Sequence, residues 1–169
     1  MAQIVIDGYN LLAKAGGMAG SLESRREGLI RLLSQFKTTR GHTITVVFGG
    51  ERGDWPTESY SRTSGIDVVF SRTGEKADHV IKRMAEDSSG ELVVISSDRE
   101  VASYAETCGH VAIRAEDFMK RLRPRPSGVI KTTIDEEMDR PGSTSTQQKG
   151  NPKRQSKEAR RRMQKLRAL

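Results

Sequence analysis

Short runs of β-branched residues alternate with amphipathic segments over the first 122 residues, and this alternation constrains the fold most. The runs lie at residues 4–6, 43–48, 66–70, 92–95 and 110–113, and they are too short for helices. Apolar residues at helical spacing fill 21–38, 76–87, 98–106 and 116–122. Strands that alternate with helices favour a parallel sheet with right-handed crossovers. We therefore predict an α/β fold in which residues 1–122 form a three-layer α/β/α domain with a mainly parallel central sheet.

The character of the sequence changes after residue 122. Pro124, Pro126 and Gly128 interrupt regular structure, and residues 139–151 are rich in Gly, Ser, Thr, Gln and Pro. We interpret residues 123–151 as a disordered linker. Residues 152–169 form a basic C-terminal tail, which we expect to become helical when bound, because an isolated helix of this length is marginal.

Three acidic residues end the strands or open the helices of this pattern. Asp7 follows the first apolar run, Asp98 follows the run that ends at Ser97, and Asp78 lies where a helix begins. A turn or a helix N-cap is the alternative role for each of them. Ligands collect at the carboxyl ends of the strands in open α/β sheets. We therefore predict that Asp7, Asp78 and Asp98 converge into one site.

Three carboxylates at close range repel one another, so their ionisation requires a compensating cation. Mg²⁺ or Mn²⁺ fits best, because a hard cation prefers oxygen ligands and keeps several waters. Such a site offers Lewis acidity and an activated water, which is the chemistry of metal-dependent phosphodiester hydrolysis. The alternative enzyme is a phosphatase with an aspartyl nucleophile, which usually needs a second acid where this chain has Tyr9.

Other side chains near these acids could bind a nucleic-acid strand. Asn10 could orient a water or contact a phosphate, with an Asx turn as the alternative. Arg72 and Arg99 lie beside two of the acid-bearing turns and could bind phosphate. Tyr9 and Trp55 are candidate stacking platforms for unpaired bases.

The positive charge of the chain belongs to the tail. Residues 149–169 hold nine Lys or Arg and one Glu, a net charge of +8, whereas the whole chain carries +7, so residues 1–148 come to about −1. A solubilising end is one interpretation, but a phosphodiesterase would gain from an arm that binds RNA phosphates without sequence specificity. The candidate cations of this arm are Lys153, Arg154, Lys157, Arg160, Arg161, Arg162, Lys165 and Arg167.

No feature of the sequence points to a membrane or to secretion. No stretch approaches the roughly 20 consecutive apolar residues of a membrane span, and the N-terminus lacks the apolar segment of a signal peptide. The single cysteine, Cys108, cannot form an internal disulfide, which fits a reducing compartment. We therefore expect a cytoplasmic protein without a membrane partner.

Four segments, in order along the chain, together resemble the YacP-like branch of the NYN domains, which belong to the PIN-like nuclease superfamily. They are IVIDGYNLL at residues 4–12, VVF at 46–48, GEKAD at 74–78 and ISSD at 95–98. The resemblance covers about residues 3–122 and not the tail. It implies a PIN-like fold and a Mg²⁺- or Mn²⁺-dependent endoribonuclease.

The resemblance also implies roles for particular residues and partners. Asp7, Asp78 and Asp98 would take the metal-binding acid positions, and Asn10 would be the asparagine of the NYN signature. Members of this branch include a ribosome-associated endonuclease that acts on messenger RNA. RNA and the translating ribosome are therefore the implied partners.

One position departs from the family pattern. Such proteins usually carry an acid after the second strand, where this chain has Gly49. Glu51 or Asp54 could compensate from the following loop, or the site could hold a single metal and act slowly. The remaining alternative is a non-catalytic RNA- or ribosome-binding module that kept the fold and lost the activity.

Overall fold

A computed structural model describes residues 2–16, 20–50, 56–122 and 157–169, which form one six-stranded sheet between helices. The strands are β1 (Gln3–Asp7), β2 (Thr43–Phe48), β3 (Ser59–Thr63), β4 (Ile66–Phe70), β5 (Leu92–Ile95) and β6 (Val111–Ile113). The helices are α1 (Gly8–Ala15), α2 (Leu22–Arg40), α3 (Ala77–Asp87), α4 (Arg99–Thr107), α5 (Ala115–Leu122) and α6 (Lys157–Ala168). None of these helices has the length and apolar character needed to cross a membrane.

The sheet has the order β3-β4-β2-β1-β5-β6, and every neighbouring pair is parallel except β3 with β4. From the central strand β1 the chain proceeds outward through β2 and β4 on one side, and later through β5 and β6 on the other. The strand order therefore reverses between β1 and β5, and a ligand site is expected at the carboxyl edge there. The predicted α/β fold with a mainly parallel sheet is confirmed.

Apolar side chains cover both faces of the sheet, which gives the domain its three layers. On one face, Leu29 of α2 and Phe118 of α5 belong to a core of fully buried residues. On the other face, Ile81 of α3 and Val101 of α4 pack against the strands. Burial on both faces explains why the strands are nearly continuous apolar runs and do not alternate with polar residues.

Helix α2 shows why many of the predicted limits are correct. The hydroxyl of Ser21 accepts a hydrogen bond from the backbone N–H of Ser24, so it caps the first turn at the start of the predicted segment. The helix ends at Gly41, which takes the left-handed conformation with φ of 67°. Short-range chemistry alone fixes both ends of this helix.

Two elements were not predicted. One of them is helix α1, which begins directly after β1 and continues to Ala15. The other element is β3, a polar and mostly exposed edge strand that pairs antiparallel with β4. The turn between them places Ser64 and Gly65 at φ of 52° and 79°, and positive φ at both central residues is typical of a tight two-residue hairpin.

The helical part of the basic tail packs on the domain. Helix α6 packs against β6, and Leu169 at its end is only 1% exposed within the core that contains α2 and α5. Arg161 and Lys165 form ion pairs with Glu91, and Arg162 forms one with Glu106. The helix therefore covers the outer edge of the sheet. The linker predicted at 123–151, together with Lys153 and Arg154, lies outside the described residues.

Candidate functional site

Asp7 lies at the carboxyl end of the central strand and is only 7% exposed. The next residue must be glycine, because a Cβ on Gly8 would lie 2.4 Å from Cε1 of the Phe48 ring. Helix α1 can therefore start directly against β2. The Oδ1 atom of Asp7 accepts the backbone N–H of Asn10 at 3.0 Å, so the alternative role as an N-cap is real. The cap uses only the Oδ1 atom of Asp7 and leaves Oδ2 for a second contact.

The turn after β5 is tied to the turn after β1 by side-chain hydrogen bonds. The amide oxygen of Asn10 accepts the backbone N–H of Ser97 at 3.0 Å. The hydroxyl of Ser96 lies 3.4 Å from Oδ2 of Asp7 and accepts the backbone N–H of Asp98 at 3.1 Å. We call these contacts among Asp7, Asn10, Ser96 and Ser97 the central ridge. The central ridge lies between the ends of β1 and β5, where the strand order reverses.

Asp98 caps the next helix while it faces the same edge of the sheet. Its Oδ1 atom accepts the backbone N–H groups of Glu100 and Val101 at 2.7 and 3.3 Å. As for Asp7, capping occupies one carboxylate oxygen. The positive end of the α4 dipole therefore favours an acidic residue at this position.

Asp78 reaches the site from the first turn of α3. A buried hub behind it fixes that turn: the hydroxyl of Ser71 donates to the carbonyl oxygen of Glu75 at 2.6 Å and accepts the N–H of Gly50 at 2.7 Å. The buried carboxylate of Glu75 is paired with Arg83 at 2.5 Å. These contacts hold the start of α3 against the end of β2.

Asp7 and Asp78 line one cavity of about 520 Å³ at the carboxyl edge of the sheet. Asn10, Lys76 and Arg25 line it as well. We call this space the acid cavity. A second cavity of about 260 Å³, lined by Asp98, lies on the other side of the central ridge.

The two acids of the acid cavity are electrostatically stressed. The pKa of Asp7 is raised to about 6, mainly by burial and also by the charges of Asp78 and Asp98, while the N–H of Asn10 and the hydroxyl of Ser96 lower it. The pKa of Asp78 is also raised, first by burial and then by the charge of Asp98. The acids therefore repel one another across the central ridge, and a cation between them would relieve the repulsion.

The residues of the acid cavity fit a hard divalent cation, although they do not form a closed ligand set. Among the described residues, no three His, Cys, Asp or Glu side chains are gathered closely enough to hold a metal ion between them. Mg²⁺ is commonly bound through one or two carboxylates and keeps several waters. Asp7 and Asp78 could supply those two carboxylates, with Asp98 nearby across the ridge. The predicted three-acid set is thus brought to one edge but not into one cluster.

Gly49, where the resemblance leads us to expect an acid, lies in the wall of the acid cavity. A Cβ at this position would lie 3.3 Å from the backbone nitrogen of Ala77, the first residue of α3. No side chain caps α3 at its preceding residue, Lys76. An acid at position 49 would therefore meet the uncapped start of this helix. Glu51 and Asp54, the predicted substitutes, lie outside the described residues.

The residues predicted to bind phosphates or bases lie at different places relative to the two cavities. Arg99 is exposed and lines the second cavity beside Asp98. Arg72 is exposed and lies 3.6 Å from Glu75, outside both cavities. Tyr9 lines the acid cavity but also packs against Phe48, with ring centroids 5.2 Å apart. Trp55 lies outside the described residues.

Sequence reasoning missed three residues of the site. Ser96 follows a strand as many serines do, and only the fold shows that its hydroxyl connects Asp7 with Asp98. Arg25 in the first turns of α2 and Lys76 before α3 both line the acid cavity. Arg25 is distant in sequence from Asp7, Asp78 and Asp98, so no local motif could have identified it. Lys76 lies within the GEKAD segment, which was the available signal.

The fold and the site together define a class: an α/β domain of the nuclease-like, PIN-like type, with acidic residues at the carboxyl edge of a mainly parallel sheet. The chain belongs to the YacP-like NYN domain family, whose model matches residues 4–168. That match extends well beyond residue 122 and includes α6. The family likeness expected to end with the domain therefore reaches into the basic tail.

Solved structures show the same fold. A crystal structure of a mutant of Rae1 (YacP) from Bacillus subtilis is similar with a TM-score of 0.60 and 21% sequence identity, covering 72% of this chain and 75% of that chain. Another crystal structure of Rae1 (YacP) gives a TM-score of 0.53 and 20% identity over 72% of this chain and 74% of that chain. No curated protein sequence matches the chain.

Proposed function

We propose that the chain is a Mg²⁺- or Mn²⁺-dependent endoribonuclease that hydrolyses single-stranded RNA in the cytoplasm. The observation that carries this proposal is the acid cavity, in which buried Asp7, with its raised pKa, lies beside Asp78. Membership of a nuclease-like family supports it. Hydrolysis adds water across one phosphodiester bond, so that one product ends in a phosphate monoester and the other in a hydroxyl group.

In this proposal the residues of the site have separate tasks. Asp7 and Asp78 hold the divalent cation, and Asp98 adds negative charge across the central ridge. The cation would supply Lewis acidity at the phosphoryl oxygen and lower the pKa of a water. Asn10 positions the two turns, because its N–H binds Asp7 and its amide oxygen binds the backbone of Ser97.

RNA binding is assigned to exposed cations. Arg99 borders the second cavity, and Lys157, Arg160 and Arg167 are exposed on α6. Arg161 and Lys165 pair with Glu91 and line neither cavity, so we do not assign them to RNA. Exposed cations of this kind contact phosphates irrespective of sequence. They suit ribosomal RNA as well, so association with the ribosome belongs to the same proposal.

The proposal is tested by a nuclease assay with Mn²⁺ on a labelled single-stranded RNA. Asp7→Asn keeps the acceptor for the N–H of Asn10 and removes only the charge. We expect cleavage to fall by at least about 100-fold, more than the loss of an outer partner of a metal ligand usually costs. Equal cleavage by both proteins would contradict the proposal and point to a contaminating nuclease.

A non-catalytic RNA-binding module is the second candidate function. Gly49 favours it, because the acid cavity has no carboxylate at the end of β2. The same assay separates the two functions. An RNA-binding protein with equally negligible cleavage in the wild type and in Asp7→Asn would support the second candidate.

A further inference from the structure

Two buried arginine nitrogens flank the acids, one on each side of the central ridge. The Nε atoms of Arg25 and Arg162 are both buried and have no hydrogen-bond partner among the described residues. Arg25 lines the acid cavity, and Arg162 lines the second cavity beside Asp98. A buried N–H group without an acceptor costs free energy, and a bound ion or water is one of the explanations for such a group in a folded protein.

Residues that line the two cavities are hydrogen-bonded to each other. Asn10 of the acid cavity binds the backbone of Ser97 in the second cavity, and Asp7 contacts Ser96 across the same ridge. A chain that passes over this ridge would meet the acids in the middle and one arginine on either side. The acids need a cation to accept an anionic chain, whereas the arginines attract it directly.

Arg162 is held in place by the docking of α6. It forms an ion pair with Glu106 of α4, which also lines the second cavity. This pair uses one terminal nitrogen of the guanidinium group, and the side chain is still 37% exposed. Guanidinium groups present several donors in a fixed plane and match phosphate geometry.

We propose that Arg25 and Arg162 bind two phosphates of one single-stranded RNA, on either side of the bond that lies at the acids. This inference rests on the proposed function for the identity of the ligand. It makes α6 a fixed wall of the RNA-binding cleft, and it gives a role to Arg25, which no motif had indicated. Lys76 of the acid cavity adds positive charge beside the first of these phosphates.

The test is RNA binding in EDTA, where metal-dependent cleavage cannot occur. Affinity for a short fluorescent single-stranded RNA is measured by anisotropy at several salt concentrations. We expect Arg25→Gln and Arg162→Gln each to weaken binding about fivefold and to lower the salt slope by about 0.7, the value for one lost contact on a single strand. Arg25→Lys and Arg162→Lys should restore most of the slope, because they keep the charge.

Each variant has a matched control on its own helix. Arg31→Gln removes an exposed charge of α2 that is paired only loosely with Glu27. Arg161→Gln removes a charge of α6 that pairs with Glu91, so it loses a docking ion pair as Arg162→Gln does. Neither Arg31 nor Arg161 lines the two cavities. Each control should reduce RNA affinity by less than about half as much as the test variant on the same helix.

The outcomes separate this inference from the proposed function. Equal losses in Arg162→Gln and Arg161→Gln, or in Arg25→Gln and Arg31→Gln, would overturn the inference. Cleavage by the wild type with unchanged binding by both test variants would leave the nuclease intact and refute the two phosphate contacts. Specific loss of binding without any cleavage in Mn²⁺ would support the contacts and refute the hydrolysis.

Discussion

The neighbouring strands β1 and β2 run parallel and end at the same edge of the sheet, but they end in opposite ways. β1 ends in Asp7, a buried carboxylate whose pKa is raised to about 6. β2 ends in Phe48 and is followed by Gly49 and Gly50, which are buried and carry no side chain. One strand therefore brings charge into the site, and the other brings backbone.

The difference shows how this chain limits the loss of stability that buried acids cause at the site. The end of β1 bears an electrostatic penalty that a cation would relieve. The end of β2 is held by the hydrogen bonds of Gly50 to the hydroxyl of Ser71 and to the carbonyl oxygen of Glu75. Backbone packing thus positions α3, and with it Asp78, without adding another buried charge.

The largest effect on stability is expected at Asp7. Its pKa is higher in the folded protein than the usual 3.8, so the folded state binds more protons between about pH 4 and pH 6 and loses stability as pH rises through that window. A shift of this size corresponds to about 3 kcal/mol at pH 8. Asp7→Asn should therefore be more stable than the wild type at pH 8 in EDTA, as measured by urea unfolding.

The gain should shrink toward zero below about pH 4, where both states of the wild type are protonated. Asparagine retains an acceptor for the N–H of Asn10, so the cap is not lost. A variant that is less stable than the wild type at pH 8 would show that Asp7 is not under electrostatic stress.

Gly50→Ala tests the backbone packing at the end of β2. A Cβ at this position would lie 2.3 Å from the carbonyl oxygens of Ser71 and Arg72. We expect the variant to lose roughly 2–3 kcal/mol of unfolding free energy, since neither backbone group can move without breaking the hub. Gly90→Ala is the matched control, because no atom lies within 4 Å of its Cβ position. Equal stability of the two variants would refute the backbone role of Gly50.

A smaller effect should follow when the missing acid is restored. Gly49→Asp places a carboxylate at the uncapped start of α3 and beside Asp7 and Asp78. We expect Mn²⁺ affinity to rise about threefold to tenfold, as a third carboxylate adds charge to the site. Gly49→Asn can cap the helix without adding charge, so it should leave Mn²⁺ affinity unchanged. Equal affinities in both variants would show that position 49 does not face the metal.

Much of the fold could be predicted because its signals are local. The β-branched run of β2 gave the correct limits, and the caps at Ser21 and Gly41 defined α2. The convergence of acids at one edge followed from strand direction alone. By contrast, β3 is polar and exposed, so its only signal was the pair Ser64 and Gly65 in the turn.

The parts that could not be predicted depend on contacts between distant segments. Leu169 becomes buried only because α6 packs on β6, which no pattern within the basic tail indicates. Arg25 enters the acid cavity because α2 crosses the sheet beside α1. Asp7 and Asp98 were assigned either to caps or to a site, and in the structure each caps a helix with Oδ1, which leaves its second carboxylate oxygen for another contact.

The central claim is that Asp7 and Asp78 hold one divalent cation between them. The most direct measurement is a Mn²⁺ titration at pH 7.5, followed by electron paramagnetic resonance of the free ion, on the wild type, Asp7→Asn and Asp78→Asn. We predict that the wild type binds Mn²⁺ and that each variant loses at least about tenfold in affinity. Unchanged Mn²⁺ affinity in both variants, or no binding by the wild type, would contradict the claim.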